Sequence, residues 1–251
     1  MISTELLASY WEQGYLLLPR LFDQEKLGCY ESRFLELVSG QREAPDRMIV
    51  MQDVMVAKGA VVPATPIHGI NKILSFEDDP VLFQYSLSAN LLEVVKRLIG
   101  DEVMTISTNV FNKPPAVDGR HPMHQDLRYF ALRPADKIVG SWTALSACTR
   151  EKGCLAVIPG SHRGDLLRHD TPDWDYVNYG FFSVENVDLD GRVHLKMEPG
   201  DTLLMHPLLV HGSGQNRSSE FRRSISTHYA SVDCDRRPGP RKREPVTRRI
   251  P

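Results

Sequence analysis

The sequence of 251 residues predicts a mainly β fold with flanking helices, an antiparallel sandwich or jelly roll. Beyond residue 101, short apolar runs alternate with turns rich in proline, glycine and aspartate. This spacing is typical of antiparallel sheets and does not fit βαβ units. Two irregular segments, 57–75 and 166–186, are too long for simple connections, so we expect them to line or cover a site.

Polar residues mark the start of three predicted helices in the first hundred positions. Ser3 or Thr4 can cap the first helix, Asp23 the second and Ser88 the third, which Gly100 ends. Between and after these helices, apolar runs rich in β-formers predict strands. The predicted strands are 15–19, 103–111, 137–145, 155–158, 193–197, 202–205 and 222–230.

Composition and charge indicate a globular chain, with 41% hydrophobic and 25% charged residues. The formal net charge of −2 conceals a basic tail, because seven Lys or Arg and one acidic residue fall within 236–251. The rest of the chain is mildly acidic, which argues against nucleic-acid binding. We expect a single domain, with a helical part at about 1–100, a jelly-roll core at about 101–235 and a short solvated tail at 236–251.

Cysteine usage and the chain ends predict a cytoplasmic protein without a membrane span. No CxxC spacing is present, and reduced thiols are expected at Cys29, Cys148, Cys154 and Cys234. The start lacks the basic and apolar regions of a signal peptide, and the apolar runs are too short to cross a bilayer. The final Arg-Ile-Pro is not a peroxisomal signal of the Ser-Lys-Leu type.

A His-x-Asp pair, His124 and Asp126, is the first candidate for metal binding. Residues two apart on an extended chain project to the same side, and one further imidazole would complete the facial triad of a non-haem iron(II) site. Either His206 or His211 can supply it, and His211 is favoured because it opens a small, polar, glycine-rich stretch. His121 is interpreted as a structural or rim residue, because no carboxylate lies two positions after it.

The last predicted strand has one polar face, which needs a reason in a central strand. That face carries Arg222, Ser224, Ser226 and His228. Arg222 either makes a structural salt bridge or binds the carboxylate of an organic acid through its planar guanidinium. Its residue type alone does not decide between the two.

Three strings, HPMHQDL at 121–127, PGSH at 159–162 and HPLLVHGSGQN at 206–216, carry a family resemblance. With the sequence around them, from about residue 11 to 235, they closely resemble the phytanoyl-CoA dioxygenase family of Fe(II)- and 2-oxoglutarate-dependent oxygenases. The resemblance implies the double-stranded β-helix, a cupin-like jelly roll. It also implies Fe(II), 2-oxoglutarate and O2, with ascorbate as a candidate reductant.

Carried over residue by residue, the resemblance implies a specific site. The iron ligands fall on His124, Asp126 and His211, and the arginine for 2-oxoglutarate falls on Arg222. Further co-substrate contacts fall on Lys72, Gln125, Trp142 and Ser213, and Asn109 stands where the family pocket has a methionine. The retained carboxylate at position 126 indicates hydroxylation, because related halogenating enzymes have a small residue there.

The implied reaction is hydroxylation alpha to the thioester of a branched or long-chain acyl-CoA, with release of succinate and CO2. The chain ends earlier than longer family members, so the same chemistry on a small molecule without CoA is the alternative. A non-enzymatic metal-binding or ligand-binding barrel is a third interpretation. Lys113, Arg128 and Lys137 could meet CoA phosphates, although ordinary surface charge explains them more simply. The sequence does not predict an oligomeric state.

Segment 166–186 is a candidate lid over the apolar part of the site, and ordinary loop packing is the alternative. Its aromatic residues are Trp174, Tyr176, Tyr179, Phe181 and Phe182. Two nearby histidines, His162 and His169, are predicted to be structural or to support the site without binding metal.

Overall fold

The computed structural model describes residues 2–115, 117, 119–237 and 247–251. The helices are α1 (Thr4–Gln13), α2 (Gln24–Val38), α3 (Val54–Ala57), α4 (Phe83–Ser86) and α5 (Ala89–Ile99). The first half of the strands comprises β1 (Tyr15–Leu18), β2 (Ile49–Gln52), β3 (Ile70–Leu74), β4 (Val103–Lys113), β5 (His121–His124), β6 (Leu132–Arg133), β7 (Ile138–Ala144) and β8 (Leu155–Val157). The second half comprises β9 (His169–Asp170), β10 (Ser183–Val184), β11 (Val193–Leu195), β12 (Thr202–Met205), β13 (His211–Ser213), β14 (Arg222–Ser231), β15 (Asp235–Arg236) and β16 (Arg248–Arg249).

The predicted caps lie at the starts of the three long helices. The Ser3 side chain accepts a hydrogen bond from the Leu6 amide (3.3 Å), and Asp23 accepts one from the Lys26 amide (2.8 Å). These side chains satisfy amide groups that have no partner within the first helical turn. Ser88 lies at the N-cap position of α5 as predicted, but its side chain makes no capping hydrogen bond; the helix ends at Gly100 as predicted.

Two antiparallel sheets form the body of the molecule. The large sheet has the order β1-β12-β7-β14-β4-β3-β2, with β16 also paired to β4. The smaller sheet has the order β11-β8-β13-β5, and two short two-stranded ladders join β9 to β10 and β6 to β15. The predicted mainly β jelly-roll class is confirmed, because the described strands pair antiparallel throughout.

The large sheet is covered on both faces. One face packs on the helices through a cluster that includes Tyr10, Phe34, Leu91, Val110, Leu204, Ile225 and Tyr229. The other face packs on the smaller sheet through Trp142, Ala144, Leu155, Val157, Leu203 and Met205. Because side chains alternate along a strand, β14 turns Ile225 towards the helices and its even-numbered residues towards the smaller sheet.

The N-terminal third contains more strand than the sequence predicted. Strands β2 and β3 extend the large sheet beyond β4, with Ile73 opposite Val110. Each is only four or five residues long, and its apolar residues acquire a buried face only through this pairing. Tertiary contacts therefore determine where β2 and β3 form, and the local sequence does not.

Part of the predicted solvated tail, 238–246, lies outside the described residues. Beyond it, Arg248 pairs with Thr105 of β4 and donates a hydrogen bond to the Glu77 carbonyl at 2.6 Å. The end of the tail is therefore attached to the large sheet. Among the residues that the structure describes, no helix has both the length and the apolar character needed to cross a membrane.

Candidate metal centre

Two histidines and one aspartate converge between the sheets. Each of His124, Asp126 and His211 is buried and offers one ligand atom, and these atoms lie within 4.8 Å of one another. Strand pairing places His211 directly opposite His124. Strand β5 ends at His124 and Asp126 begins a 3-10 turn, but Gln125 between them is extended (φ −117°, ψ 128°), so both side chains face the same side.

Backbone carbonyls orient both imidazoles. The Nδ1 atoms of His124 and His211 lie 2.8 Å from the Pro122 carbonyl and 3.0 Å from the Leu209 carbonyl. A carbonyl only accepts, so each Nδ1 carries the proton and each Nε2 keeps its lone pair. The Nε2 atoms point at the carboxylate, at 3.3 Å for His124 and 3.7 Å for His211. Two neutral imidazoles and a carboxylate on one face fit an iron(II) site with open positions opposite.

A glycine allows the two ligand strands to come this close. A Cβ atom at Gly212 would lie 2.9 Å from both the His121 carbonyl oxygen and the Met123 sulfur. Any larger residue at this position would push β13 away from β5, and with it the His211 imidazole away from His124.

The electrostatics of the triad suit a bound cation. Burial opposes ionisation of Asp126, but the interactions with His228, His211 and His124 outweigh it, so its pKa lies well below the ordinary value. Burial lowers the pKa of His211 to about 4. At neutral pH the carboxylate is therefore charged and this imidazole is neutral, which are the protonation states that bind metal.

Arg222 lies beside the triad as a buried cation. Its guanidinium donates to the Gly153 carbonyl (3.1 Å) and to the Ser224 hydroxyl (3.4 Å), and Nε has no partner among the described residues. Burial lowers the pKa of this arginine, and the only groups that oppose this shift are the thiols of Cys148 and Cys154. Among the described residues no carboxylate forms a salt bridge with Arg222, which leaves this buried cation able to bind an anion.

Trp142, Ser213 and Lys113 surround this arginine. The guanidinium lies 5.4 Å from the Trp142 ring, and Lys113 stands opposite Arg222 in the pairing of β4 with β14. Lys113 Nζ donates to the Ser213 hydroxyl at 2.8 Å and to the Gly214 carbonyl. Interpreting Lys113 as surface charge was wrong, because only 5% of it is exposed.

The remaining predicted co-substrate residues lie beside the cavity and not among the residues that line it. Lys72 lies over the rings of Phe111 (5.6 Å) and Phe181 (4.9 Å). Asn109 is buried and donates to the hydroxyls of Ser107 and Ser226. Trp142, Ser213 and Arg222 thus line the same cavity as the triad, whereas Lys72 and Asn109 do not.

Gln125 points away from the triad and holds the neighbouring chain. Its side-chain amide donates to the carbonyls of Leu208 (2.8 Å) and Asp165 (3.3 Å) and accepts from the Leu167 amide (2.8 Å). Its own backbone amide donates to Nε2 of His169 at 3.0 Å. Gln125 and His169 therefore fix the start of segment 166–186 to the backbone between two of the ligands.

The other histidines do not join the triad. His206 faces away and contacts the Asp136 carboxylate at 3.0 Å, while His162 contacts the Trp11 carbonyl at 3.1 Å. His121 stacks on His124, with 4.2 Å between ring centroids and an interplanar angle of 15°. Burial lowers the pKa of His121 well below its ordinary value, so it is a neutral part of the cavity wall.

Sequence reasoning missed His228. Its Nε2 lies 2.8 Å from Oδ2 of Asp126, and the residue is buried. The available signal was periodicity, because His228 lies on the same face of β14 as Arg222 and Ser224. That face was identified as polar, but no role was given to its last member.

Segment 166–186 forms part of the cavity wall through Phe181. This ring stacks on His121 at 4.0 Å, so Phe181, His121 and the ligand His124 form one continuous stack. Basic side chains lie over other aromatic rings of the segment. These pairs are Lys58 with Tyr176, Arg120 with Trp174, and Arg128 with Phe182.

A jelly roll with two histidines and one carboxylate on one face, beside a buried arginine, belongs to the class of non-haem iron dioxygenases that use 2-oxoglutarate. The family profile described as "Phytanoyl-CoA dioxygenase (PhyH)" matches residues 10–224, and the chain belongs to this family. The predicted enzyme class and cofactors are thereby confirmed at the level of the family.

Similar proteins cover nearly the whole chain. A Caenorhabditis elegans protein named "Probable phytanoyl-CoA dioxygenase" is 43% identical over 244 residues, which are 94% of this chain and 78% of that protein. The human "Phytanoyl-CoA dioxygenase, peroxisomal" is 40% identical over 230 residues, 90% of this chain and 67% of the human one.

Solved structures share the fold at low identity. The "non-heme alpha ketoglutarate dependent carbocyclase SnoK from nogalamycin biosynthesis" has a TM-score of 0.73 at 20% identity, covering 100% of this chain and 97% of that one. EvdO2 from Micromonospora carbonacea, in complex with 2-oxoglutarate, has a TM-score of 0.73 at 19% identity and covers 96% of both chains.

Proposed function

We propose that this dioxygenase hydroxylates the carbon alpha to the thioester of a branched or long-chain acyl-CoA. One oxygen atom of O2 enters the substrate as the hydroxyl group. The other enters succinate as 2-oxoglutarate loses CO2. The observation that carries the proposal is the pairing of the triad with Arg222, a buried cation without a described carboxylate partner, in a chain of this family.

In this proposal each group of the chain has a defined task. Iron(II), held by His124, Asp126 and His211, supplies the oxidation of the substrate C–H bond together with 2-oxoglutarate and O2. Arg222 binds the distal carboxylate of 2-oxoglutarate, because two parallel hydrogen bonds from a guanidinium match a carboxylate. Ser213 offers its hydroxyl to the same carboxylate, and the Trp142 ring lies against the guanidinium.

The predicted co-substrate residues that do not line the cavity act through their neighbours. Lys72 sets the position of Phe181, over which its ammonium lies. Asn109 supports Ser226, which lines the cavity. Gln125 holds the chain on either side of the ligand pair through its contacts with Asp165, Leu167 and Leu208.

Two features near segment 166–186 favour an acyl-CoA over a simple acid. Phe181 and the partly buried Tyr129 and Phe182 offer apolar surface for an acyl chain. Arg120, Arg128 and Lys58 place positive charge at the aromatic rim, where phosphates of a nucleotide thioester would be attracted. Lys137 is a weaker candidate for binding these phosphates, because its ammonium group pairs with Asp233 on the surface at 3.0 Å.

The cytoplasmic location stays a prediction, and it can be tested by fractionation together with the activity. The named mammalian relatives are peroxisomal. A protein found in the peroxisomal fraction would contradict the prediction without affecting the chemistry.

The deciding experiment is a substrate screen read out as succinate formation. Phytanoyl-CoA and a straight-chain acyl-CoA should drive succinate formation above the substrate-free rate, and the free acids should not. Stimulation by a metabolite without CoA, with no response to the thioesters, would refute the substrate while leaving the reaction class in place. No succinate under any condition, and no visible charge-transfer band after anaerobic addition of Fe(II) and 2-oxoglutarate, would refute the dioxygenase assignment.

A further inference from the structure

His228 and Asp126 form a buried pair that the triad alone does not explain. Nε2 of His228 lies 2.8 Å from Oδ2 of Asp126, and neither residue is more than 9% exposed. An ionised carboxylate only accepts hydrogen bonds, so Nε2 of His228 must donate the proton. The strand that carries Arg222 therefore also reaches the carboxylate ligand.

The two oxygens of Asp126 have different surroundings. Oδ1 lies 3.3 Å from Nε2 of His124. Oδ2 accepts the hydrogen bond from His228 and lies 3.7 Å from Nε2 of His211. The hydrogen bond from His228 occupies Oδ2 and leaves Oδ1 as the better ligand for a cation. A carboxylate that binds through one oxygen preserves the three open positions that the co-substrate and dioxygen need.

A glycine at one position provides the space for this contact. Gly140 of β7 stands opposite His228, and a Cβ atom at Gly140 would lie 2.9 Å from Nε2 of His228 and 3.8 Å from Oδ2 of Asp126. On the other side the Phe130 ring packs against the imidazole at 5.0 Å between centroids. The imidazole is thus confined between Gly140 and Phe130 and directed at the carboxylate.

We propose that His228 is a positioning residue that holds the Asp126 carboxylate in one-oxygen coordination of the metal. The proposal rests on the proposed function, since it requires a cation in the triad. Removal of the donor lets the carboxylate rotate, which weakens metal binding and disturbs the open positions used by 2-oxoglutarate. Partners of ligating groups typically change metal affinity by about 10- to 100-fold when they are removed.

Two substitutions at His228 separate the hydrogen bond from the volume of the side chain. His228→Leu removes the donor and should raise the dissociation constant for Fe(II), measured anaerobically by equilibrium dialysis, by roughly 10- to 100-fold. His228→Gln can keep an amide donor near the place of Nε2 and should stay within about 3-fold of the wild type, well inside that range. The charge-transfer band with 2-oxoglutarate should shift or weaken in the leucine variant and persist in the glutamine variant.

A second perturbation and a matched control complete the test. Gly140→Ala removes no polar group but displaces His228, so it should weaken Fe(II) binding even if the leucine variant does not fold. His206→Leu removes the comparable His206–Asp136 contact outside the site, and should lower the melting temperature without changing Fe(II) affinity.

Each outcome decides the proposal. Wild-type Fe(II) affinity in a folded His228→Leu or Gly140→Ala protein would overturn it, and so would equal losses in the leucine and glutamine variants. Failure of the wild-type protein to bind Fe(II) would instead refute the proposed function, so the two failures are distinguishable.

Discussion

Pro122 and Leu209 set the chemistry of the two ligand histidines through their backbone carbonyls. The sequence identified His124 and Asp126 from their spacing, because alternation along an extended chain depends only on the backbone. It favoured His211 over His206 from the glycine-rich stretch that follows His211, and the family resemblance was needed to settle the choice. The structure separates them physically: His206 contacts Asp136, and His211 faces Asp126.

Arg222→Leu is predicted to weaken 2-oxoglutarate binding without loss of iron. A buried charge pair broken on one side costs about 2 to 5 kcal/mol, which corresponds to roughly 30-fold or more in the dissociation constant for 2-oxoglutarate. Anaerobic titration of the charge-transfer band measures this constant, and equilibrium dialysis measures the dissociation constant for Fe(II).

Arg223→Leu is the matched control, because the adjacent arginine bonds to Asn112 and Glu31 on the opposite face of the strand. Equal losses of Fe(II) and 2-oxoglutarate in Arg222→Leu would contradict the assigned role.

Metal-free protein is predicted to lose stability between pH 6.5 and 4 because of His211. Burial lowers its folded-state pKa to about 4, whereas an exposed histidine titrates near 6.5. Between these values the unfolded chain binds a proton that the folded chain does not, so the free energy of unfolding falls as the pH falls. From pH 7 to pH 5 the loss from this residue is about 2 kcal/mol.

Urea unfolding of the metal-free wild type and of His211→Gln at these two pH values measures the effect. The glutamine variant should lose less stability on acidification than the wild type, by roughly that amount. The same loss in both proteins would show that other groups account for the pH dependence.

At the scale of elements, the strands with an apolar pattern were predictable and the ligand-bearing strands were not. The prediction 202–205 agrees with β12, and 222–230 and 103–111 agree with β14 and β4 within two residues. Strands β5 and β13 have only four and three residues, with little apolar patterning. They exist because they pair with each other and with β8, which is a tertiary effect that local sequence does not encode.

Segment 166–186 is attached to the rest of the protein at two points. Near its start the Leu167 amide donates to Gln125, and further along Asn178 donates to the buried carboxylate of Asp53 (3.3 Å) and accepts from the Val54 amide (2.8 Å). Phe181 follows three residues later, and its amide donates to the Asn178 carbonyl at 3.1 Å. Asn178 therefore fixes the aromatic ring that stacks on His121.

Asn178→Ala is predicted to loosen this wall and to uncouple the reaction. The loss leaves the buried Asp53 carboxylate and the partly buried Val54 amide short of partners, which costs about 1 to 3 kcal/mol of unfolding free energy. With Phe181 released, water reaches the site more easily, so the ratio of hydroxylated product to succinate should fall. Tyr179→Ala is the control, because 97% of Tyr179 is exposed. An unchanged ratio in Asn178→Ala would mean that the segment packs without taking part in catalysis.

At the scale of the molecule, the site is assembled from both sheets. His124 and His211 come from the smaller sheet, while Trp142, Arg222 and His228 come from the large one. Asp126 lies in the turn after β5 and receives its hydrogen bond from His228 across the gap. Sequence could predict the number and kind of strands, but which strand ends meet depends on how the two sheets pack.

Because the metal ligands come from the smaller sheet and the turn after β5, whereas Arg222 comes from the large sheet, the folded protein should be stabilised in two separable steps by metal and by 2-oxoglutarate. A ligand present at 100 times its dissociation constant adds about 2.7 kcal/mol, or roughly 5 to 10 °C in melting temperature for a chain of this size. Mn(II) should give the first increment and 2-oxoglutarate the second. Arg222→Leu should keep the Mn(II) increment and lose the second, since the guanidinium belongs to the large sheet and touches no metal ligand in the smaller one.

Ile225→Val, on the helix-facing side of the same strand, should lower the melting temperature while both increments persist. Loss of both increments in Arg222→Leu would mean that the arginine organises the whole interface between the sheets, and that 2-oxoglutarate binding is not its specific task.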